Sequence, residues 1–357
     1  MKYASFAIML LLFATDAASP QRSGDTAGTT ADARIPELWF SANSPWNIPI
    51  TSTIKTSYSD AAIAAYAARG HAINMNWGSA GVYVIYDYGT ERSHADLAFR
   101  DGNGQHWAIP HVPISSTLIK AVTYRLEQGN TDGMTCVVDV PSKRFLSFWQ
   151  PRKTANGITI RTGGFASFTG LGWSLVGRNL PSLGRAAGSN YCGGLIRESE
   201  MQRGTINHAL ALAWPKDLIR APTSPFGALQ YPASNTDGVN MTSPAAVPMG
   251  ARIQLNPALD DAALMRLGLT RPADLIIGHA LQRYGGYIVD SNTATMGGSV
   301  YFESRFNSGG RIYGATNPWP LAILSQLRFV PPPPPQGMDL TSPALLATTG
   351  NPRQDQK

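Results

Sequence analysis

The chain carries little charge. Asp, Glu, Lys and Arg make up 15% of its 357 residues, against roughly 25% in an ordinary soluble domain. Lysines and arginines nowhere form a run, so the net charge of +6 is spread out rather than gathered. That dispersal excludes the basic stripe of a nucleic-acid binder, and no nucleic acid is expected as a partner. No apolar stretch reaches the ~20 residues that cross a bilayer, which excludes an integral membrane segment. Cysteine is scarce, with two in the whole chain. No H-E-x-x-H, G-x-S-x-G, P-loop or Rossmann fingerprint occurs, which argues against zinc proteases, α/β serine hydrolases and nucleotide enzymes. His94-Ala95-Asp96, His106 and His111 offer ligand atoms without a metal-site spacing, so neither a metal nor another cofactor is expected. No internal repeat is visible.

What the chain has in plenty is turn formers and apolar residues. It holds 35 glycines and 26 prolines, and 43% of it is hydrophobic. Many turns with abundant Tyr, Trp and Phe describe a turn-rich β protein better than a helical bundle. Met1-Lys2 precedes an apolar run from Tyr3 to Ala14, with small residues at Ala17, Ala18 and Ser19. That is the layout of a secretory signal peptide, placed at residues 1–18, with a buried N-terminal helix as the competing reading. Export, to the periplasm or outside the cell, would bring Cys136 and Cys192 into an oxidising compartment. A disulfide between them would close a loop of about 57 residues and contribute roughly 4 kcal/mol. Two buried free thiols are the alternative.

Residues 19–34 read as a flexible lead-in and residues 331–357 as a Pro-rich tail opening on Pro331–Pro335. Between them, 35–330 reads as one globular β-rich domain. The pattern predicts a helix over 57–69, capped by Ser59 or Asp60. It predicts strands over 81–88, 135–140, 144–150 and 157–162, the last three as an antiparallel meander. Residues 163–188 read as Gly-rich and irregular. A short helix over 197–202 is stopped by Gly204. Residues 205–214 read as a strand rather than a helix, with Ile206, His208, Leu210, Leu212 and Trp214 on one face. Helices follow over 260–267, capped by Asn256 or Asp260, and over 272–284, ended by Gly285-Gly286. Strands close the domain at 287–290 and 298–304. Together these predict a mainly β fold, a β-sandwich or jelly roll with a few peripheral helices.

Candidate chemistry gathers in three places. The densest is Asn190–His208, with Tyr191, Arg197, Glu198, Glu200, Arg203 and His208. His208 reads either as a core histidine bonded to a carbonyl or as a general base or acid. Arg197 suits a bidentate grip on a carboxylate, or pairs with Glu198. Asp139, on a Val-rich strand, is an edge residue or part of a polar site. Trp149 and Gln150 on the next strand offer an aromatic plate and an amide, or simple core packing. The third place is His279, Gln282, Tyr284, Tyr287 and Asp290, where Tyr284 and Asp290 are candidates for binding and turn or helix-end roles compete.

Three segments carry a resemblance. Gly193-Gly-Leu-Ile-Arg-Glu-x-Glu-x-x-x-Gly204-x-Ile-x-His208-Ala-Leu is one. Ala280-Leu-x-x-Tyr284-Gly-x-Tyr-x-x-Asp290, with Met249-Gly-Ala-Arg-Ile-Gln-Leu255 before it, is the second. Phe40-Ser-x-Asn-Ser-Pro-Trp-Asn47 is the third. They resemble a group of secreted bacterial proteins, mostly uncharacterised, over about residues 38–305. The resemblance implies export and a single domain, and no settled activity. The expectation is therefore a secreted, monomeric, carbohydrate-active protein whose partner is a polysaccharide or other glycan. A polysaccharide lyase on an acidic glycan would use Arg197 against the uronate carboxylate, with His208, Tyr191 or Tyr284 as base. A glycoside hydrolase using Asp139 with Glu198 or Glu200, and a non-catalytic glycan-binding or envelope protein, are the alternatives.

Overall fold

Fourteen strands, five α-helices and two short 3-10 helices make up the regular structure in the computed structural model, which describes residues 33–77, 80–89, 93–100, 105–127, 132–155, 157–174, 183–303 and 314–335. The expected signal peptide, most of the lead-in and the tail from 336 on lie outside the described residues. The fold is mainly β, with sheets about one core and a few helices at the periphery. Among the described residues no helix is long and apolar enough to cross a membrane.

The larger sheet has six strands. They are β1 (Asn74–Asn76), β10 (Leu210–Pro215), β11 (Arg252–Leu255), β12 (Gly286–Asn292), β13 (Ser299–Tyr301) and β14 (Leu327–Val330). Their order is β1-β13-β10-β12-β11-β14. β1 and β13 run parallel, as do β10 and β12, while the other neighbours are antiparallel. The second sheet orders β2 (Tyr83–Asp87), β5 (Thr135–Asp139), β6 (Arg144–Trp149) and β9 (Thr162–Ser167) as β2-β5-β6-β9. Two separate hairpins complete the strands. One is β3 (His94–Arg100) with β4 (His106–Pro113), the other β7 (Arg152–Thr154) with β8 (Gly157–Thr159).

β5 and β10 are buried at every position, as strands covered on both faces must be. On β10 the large and small residues have separate neighbours. Trp214 stacks on Tyr66 of helix α1 (Ser59–Ala67) with ring centroids 4.1 Å apart. Ala211 faces the other way, towards Gly194. The alanines leave room there for a connector, residues 183–197, that lies between the two sheets. Its Tyr191 N donates to Ser147 Oγ (2.7 Å) and its Asn190 Nδ2 to the Phe145 carbonyl (3.1 Å), both on β6. Its Ala187 N donates to Val289 O on β12 (2.9 Å) and its Ile196 N to Tyr301 O on β13 (3.1 Å). Ala211 N of β10 donates back to Gly194 O (2.8 Å). A disulfide from Cys192 to Cys136 of β5, with Cα atoms 5.2 Å apart, completes the tie. The disulfide expected from the two lone cysteines is thus present.

The helix predictions hold with local corrections. α1 has Tyr58, not Ser59 or Asp60, at its N-cap, because Ser59 Oγ instead accepts from Phe329 N of β14 (3.0 Å). α3 (Glu198–Arg203) ends on Gly204 at φ 75°, a left-handed cap that glycine fills without strain. α4 (Asp261–Arg266) is capped by Asp260, whose carboxylate accepts from Ala263 N (2.7 Å). α5 (Pro272–Arg283) starts on its proline, as expected. α2 (Ser116–Glu127) had no counterpart in the sequence reading.

The meander is corrected in its third strand. The β5–β6 hairpin forms, but β6 pairs next with β9, and 157–159 pairs with β7 instead. β9 runs through the stretch expected to be irregular. A side chain at Gly163 would drive into the Ser147 carbonyl oxygen of β6, and one at Gly164 would lie 2.8 Å from Leu183. Its glycines therefore mark close approach within a sheet rather than a loop. The predicted strand 205–214 begins only at Leu210, so His208 precedes it and is not part of its face.

Replacing both cysteines with alanine should lower stability by about 2–4 kcal/mol. The readout is a lower urea midpoint, with a somewhat steeper slope because the unbridged denatured chain exposes more surface. An unchanged midpoint would mean the connector's hydrogen bonds hold it without the bridge.

Candidate functional site

Two polar clusters flank the connector, and they differ in kind. The first is sealed. Arg197 stands at the N-cap of α3, 5% exposed, with its guanidinium 4.7 Å from the Trp39 ring. Its Nη2 donates to Glu200 Oε1 and to the Glu37 carbonyl (3.1 Å), and its backbone N to Glu200 Oε2 (3.0 Å). Glu200 is 1% exposed and also meets His208 Nε2 at 3.1 Å. His208 Nδ1 lies 2.9 Å from the Ala209 carbonyl, which can only accept. Both ring nitrogens thus face oxygen acceptors. Burial alone would push the Glu200 carboxyl up, but Arg197 and then His208 hold it well below the usual carboxylate range. Burial pulls the Arg197 guanidinium down, and Glu200 more than restores it. Arg197 and His208 are therefore gathered, around Glu200 rather than Glu198. Glu198 sits half-buried at the start of α3, where Gln202 Nε2 reaches it at 3.3 Å.

The second cluster reaches the surface. Asp290, on β12, is bonded by Arg185 Nη1 (2.5 Å) and by Ala186 N (2.9 Å), and its side chain keeps 16% exposure. Burial raises its carboxyl, Arg185 and the Ala186 N–H pull it back, and nearby Asp237 raises it again. The outcome is a carboxyl pushed up to about 6. The next residue on β12, Ser291, donates through Oγ to Asp237 Oδ2 (2.6 Å). Asp237 Oδ1 is buried and bonds no other group among the described residues. The Arg185 guanidinium lies 4.3 Å from the Tyr301 ring and 5.0 Å from the Tyr191 ring. Both phenols are raised well above the ordinary value, first by burial and then by Asp290, so they stay protonated hydrogen-bond donors. Asp132 acts electrostatically on the same two tyrosines, and its carbonyl accepts from Gln150 N (2.9 Å). Tyr191 and Asp290 thus share one neighbourhood through Arg185, and no contact brings the Trp149 or Gln150 side chain to it among the described residues.

The remaining candidates lie elsewhere. Asp139 closes the far end of β5 in an ion pair with Arg144 (2.8 Å). Tyr284 caps α5, where its carbonyl accepts from Arg252 Nε (3.0 Å). His279 is exposed and bonded to Asp261 (2.7 Å), and Gln282 donates to the Asn256 and Leu259 carbonyls. The His94 and His111 rings stack 3.9 Å apart on the β3–β4 hairpin. Among the described residues no three His, Cys, Asp or Glu side chains converge to hold a metal ion. Arg185, Asp237 and Tyr301 were not singled out from the sequence. Arg185 was hidden in the Gly-rich stretch, and Asp237 meets Asp290 only through β12.

The three resembling segments meet around Trp46. Its carbonyl accepts from Ala209 N (2.7 Å), and its indole lies over Gly193 and Gly194. Tyr287 Oη donates to the Pro45 carbonyl (3.2 Å). No family model matches the chain, and neither a curated protein nor a solved structure does.

Glu200→Gln should cost about 3–5 kcal/mol in urea unfolding at pH 7, because it leaves the buried Arg197 guanidinium without its carboxylate. Glu200 ionises more readily folded than unfolded. Its contribution is therefore in place above about pH 4.3 and fades as pH falls below that, so the gap between variant and wild type narrows in acid. A variant as stable as wild type at neutral pH would show that the cluster contributes nothing.

Proposed function

We propose that the chain is an exported carbohydrate-active enzyme, a glycoside hydrolase with Asp290 as proton donor and Asp237 as the second carboxylate. One observation carries the reading: a carboxyl raised to about 6, beside a second carboxylate, still reaching the surface. An acid of that strength holds its proton in mildly acidic solution, up to about pH 6, and can deliver it there to a departing glycosidic oxygen. The second carboxylate then activates water or attacks the sugar, according to the separation of the two.

A lyase centred on Arg197 draws less support. That guanidinium is buried against Trp39 and already engaged by Glu200 and the Glu37 carbonyl. The raised tyrosines are poor candidates for the base that such an elimination needs. Export rests on the sequence of residues 1–18 and agrees with the disulfide.

Reducing ends released from a panel of glycans test the reading. Asp290→Asn should lower kcat by about 10²–10⁴, and Asp237→Asn should lower it too. Activity should fall as pH rises through about 6, where Asp290 loses its proton. Stability follows the same direction. The contribution of Asp290 is complete below the ordinary carboxylate range and is lost as pH rises through about 6. Folded protein that releases no reducing ends from any glycan, or Asp290→Asn with wild-type turnover, would sink the proposal. Products absorbing in the ultraviolet would point to a lyase instead.

A further inference from the structure

At the β1 edge of the six-stranded sheet lies a groove of about 840 Å³. Its walls are the turn after α1, β1 with its exit to Trp77, the β12–β13 turn, and residues 317–321. These walls are bonded to one another. Tyr66 Oη donates to the Ala72 carbonyl (2.9 Å) and accepts from Gly298 N (2.6 Å). Trp319 N donates to Ile73 O (2.9 Å). The groove is thus formed before any ligand arrives, which spares a ligand the cost of ordering it.

Three features define what it would take. Among the described residues no Asp, Glu, Lys or Arg lines it, although the chain carries a net charge of +6, so the fit is to an uncharged ligand. The backbone edge of β1 is already occupied. Asn317 Oδ1 accepts from Met75 N (3.0 Å) and its Nδ2 donates to Met75 O (3.4 Å). A peptide therefore cannot add there as a further strand. What remains is side-chain chemistry. Half-buried Trp77 lines the groove together with Asn76 and His71, and neither of those two polar side chains has an intramolecular hydrogen bond among the described residues. Met296 and Leu321, 49% and 51% exposed, form an apolar rim. An aromatic face with amide and imidazole donors matches the C–H faces and hydroxyls of a sugar ring.

We propose that this groove binds a neutral glycan chain, without catalysing its cleavage. It is separate from the carboxylate pair. Tyr301 packs against Arg185, while the next residue, Phe302, packs edge-on against Trp77 at 5.6 Å, and consecutive strand residues point to opposite faces. The inference does not depend on Asp290 being an acid catalyst.

The test is affinity electrophoresis of the full chain carrying Asp290→Asn, so that turnover cannot clear the ligand. Gels contain hydroxyethylcellulose, galactomannan or mixed-linkage β-glucan, with polygalacturonate as the charged comparison. A labelled proline-rich peptide is tested separately. At least one neutral polysaccharide should retard the protein. Trp77→Ala should weaken that retardation about tenfold, equivalent to ~1.4 kcal/mol. Asn76→Ala and the rim change Leu321→Arg should weaken it in the same direction, and both keep the core intact if Trp77→Ala does not fold. The proposal is overturned by folded protein that no neutral gel retards, by retardation confined to polygalacturonate, or by peptide capture without glycan binding. Retardation unchanged in all three variants overturns it too. Failure here leaves the hydrolysis test standing, and the reverse holds as well.

Discussion

The two sheets share a connector whose peptide groups are hydrogen-bonded in both directions. Between Ala187 and Ile196 the chain gives hydrogen bonds to β6 on one side and to β12 and β13 on the other. A buried peptide group without a partner is costly, so this segment can sit in the interior only because both sheets supply partners. The rest of the arrangement depends on it. The alanines of β10 are small where Gly194 must approach, and Trp46 lies flat over Gly193 and Gly194 because neither carries a side chain. The disulfide fixes the one point at which the connector crosses β5.

Because the connector carries polar residues at both ends, it also places both ion clusters. Around Glu200 the charges are complementary and enclosed, and the carboxyl is driven down. Around Asp290 burial outweighs its single guanidinium, Asp237 adds repulsion, and the carboxyl is driven up. The same residue types thus give a structural tie in one case and a titratable acid in the other. The difference lies in the ratio of charges and in access to solvent, not in residue identity.

Elements with local signals were legible in the sequence. Pro272 and Gly285 bound α5, Gly204 ends α3, and the 141–143 turn joins β5 to β6. The mainly β class followed from composition, and the disulfide from two lone cysteines in a chain expected to be exported. What depended on packing was not legible. The glycines of β9 look like a loop until β6 is placed beside them. Helix α2 does carry a readable cap, since Ser115 Oγ accepts from Leu118 N (3.0 Å), but its β-branched residues masked it. Of the residues around Asp290, the sequence singles out Tyr191 and Asp290 itself, the first as a base and the second for binding. Arg185 and Asp237 were not singled out, because nothing local marks a residue whose role is conferred by a strand far along the chain. His208 was noticed for its type, and its setting matches the carbonyl-bonded core histidine weighed beside the catalytic reading.

Asn317 has a consequence beyond the groove it borders. An edge strand with open N–H and C=O groups invites a second molecule to pair with it, and long, flat edges of this kind seed aggregation. One side-chain amide occupies both groups of Met75 and stands in for a neighbouring strand. An aspartate in its place would keep the acceptor and lose the donor. That single exchange would leave the Met75 carbonyl without its partner, while the charge it adds would itself repel a second strand from this short edge.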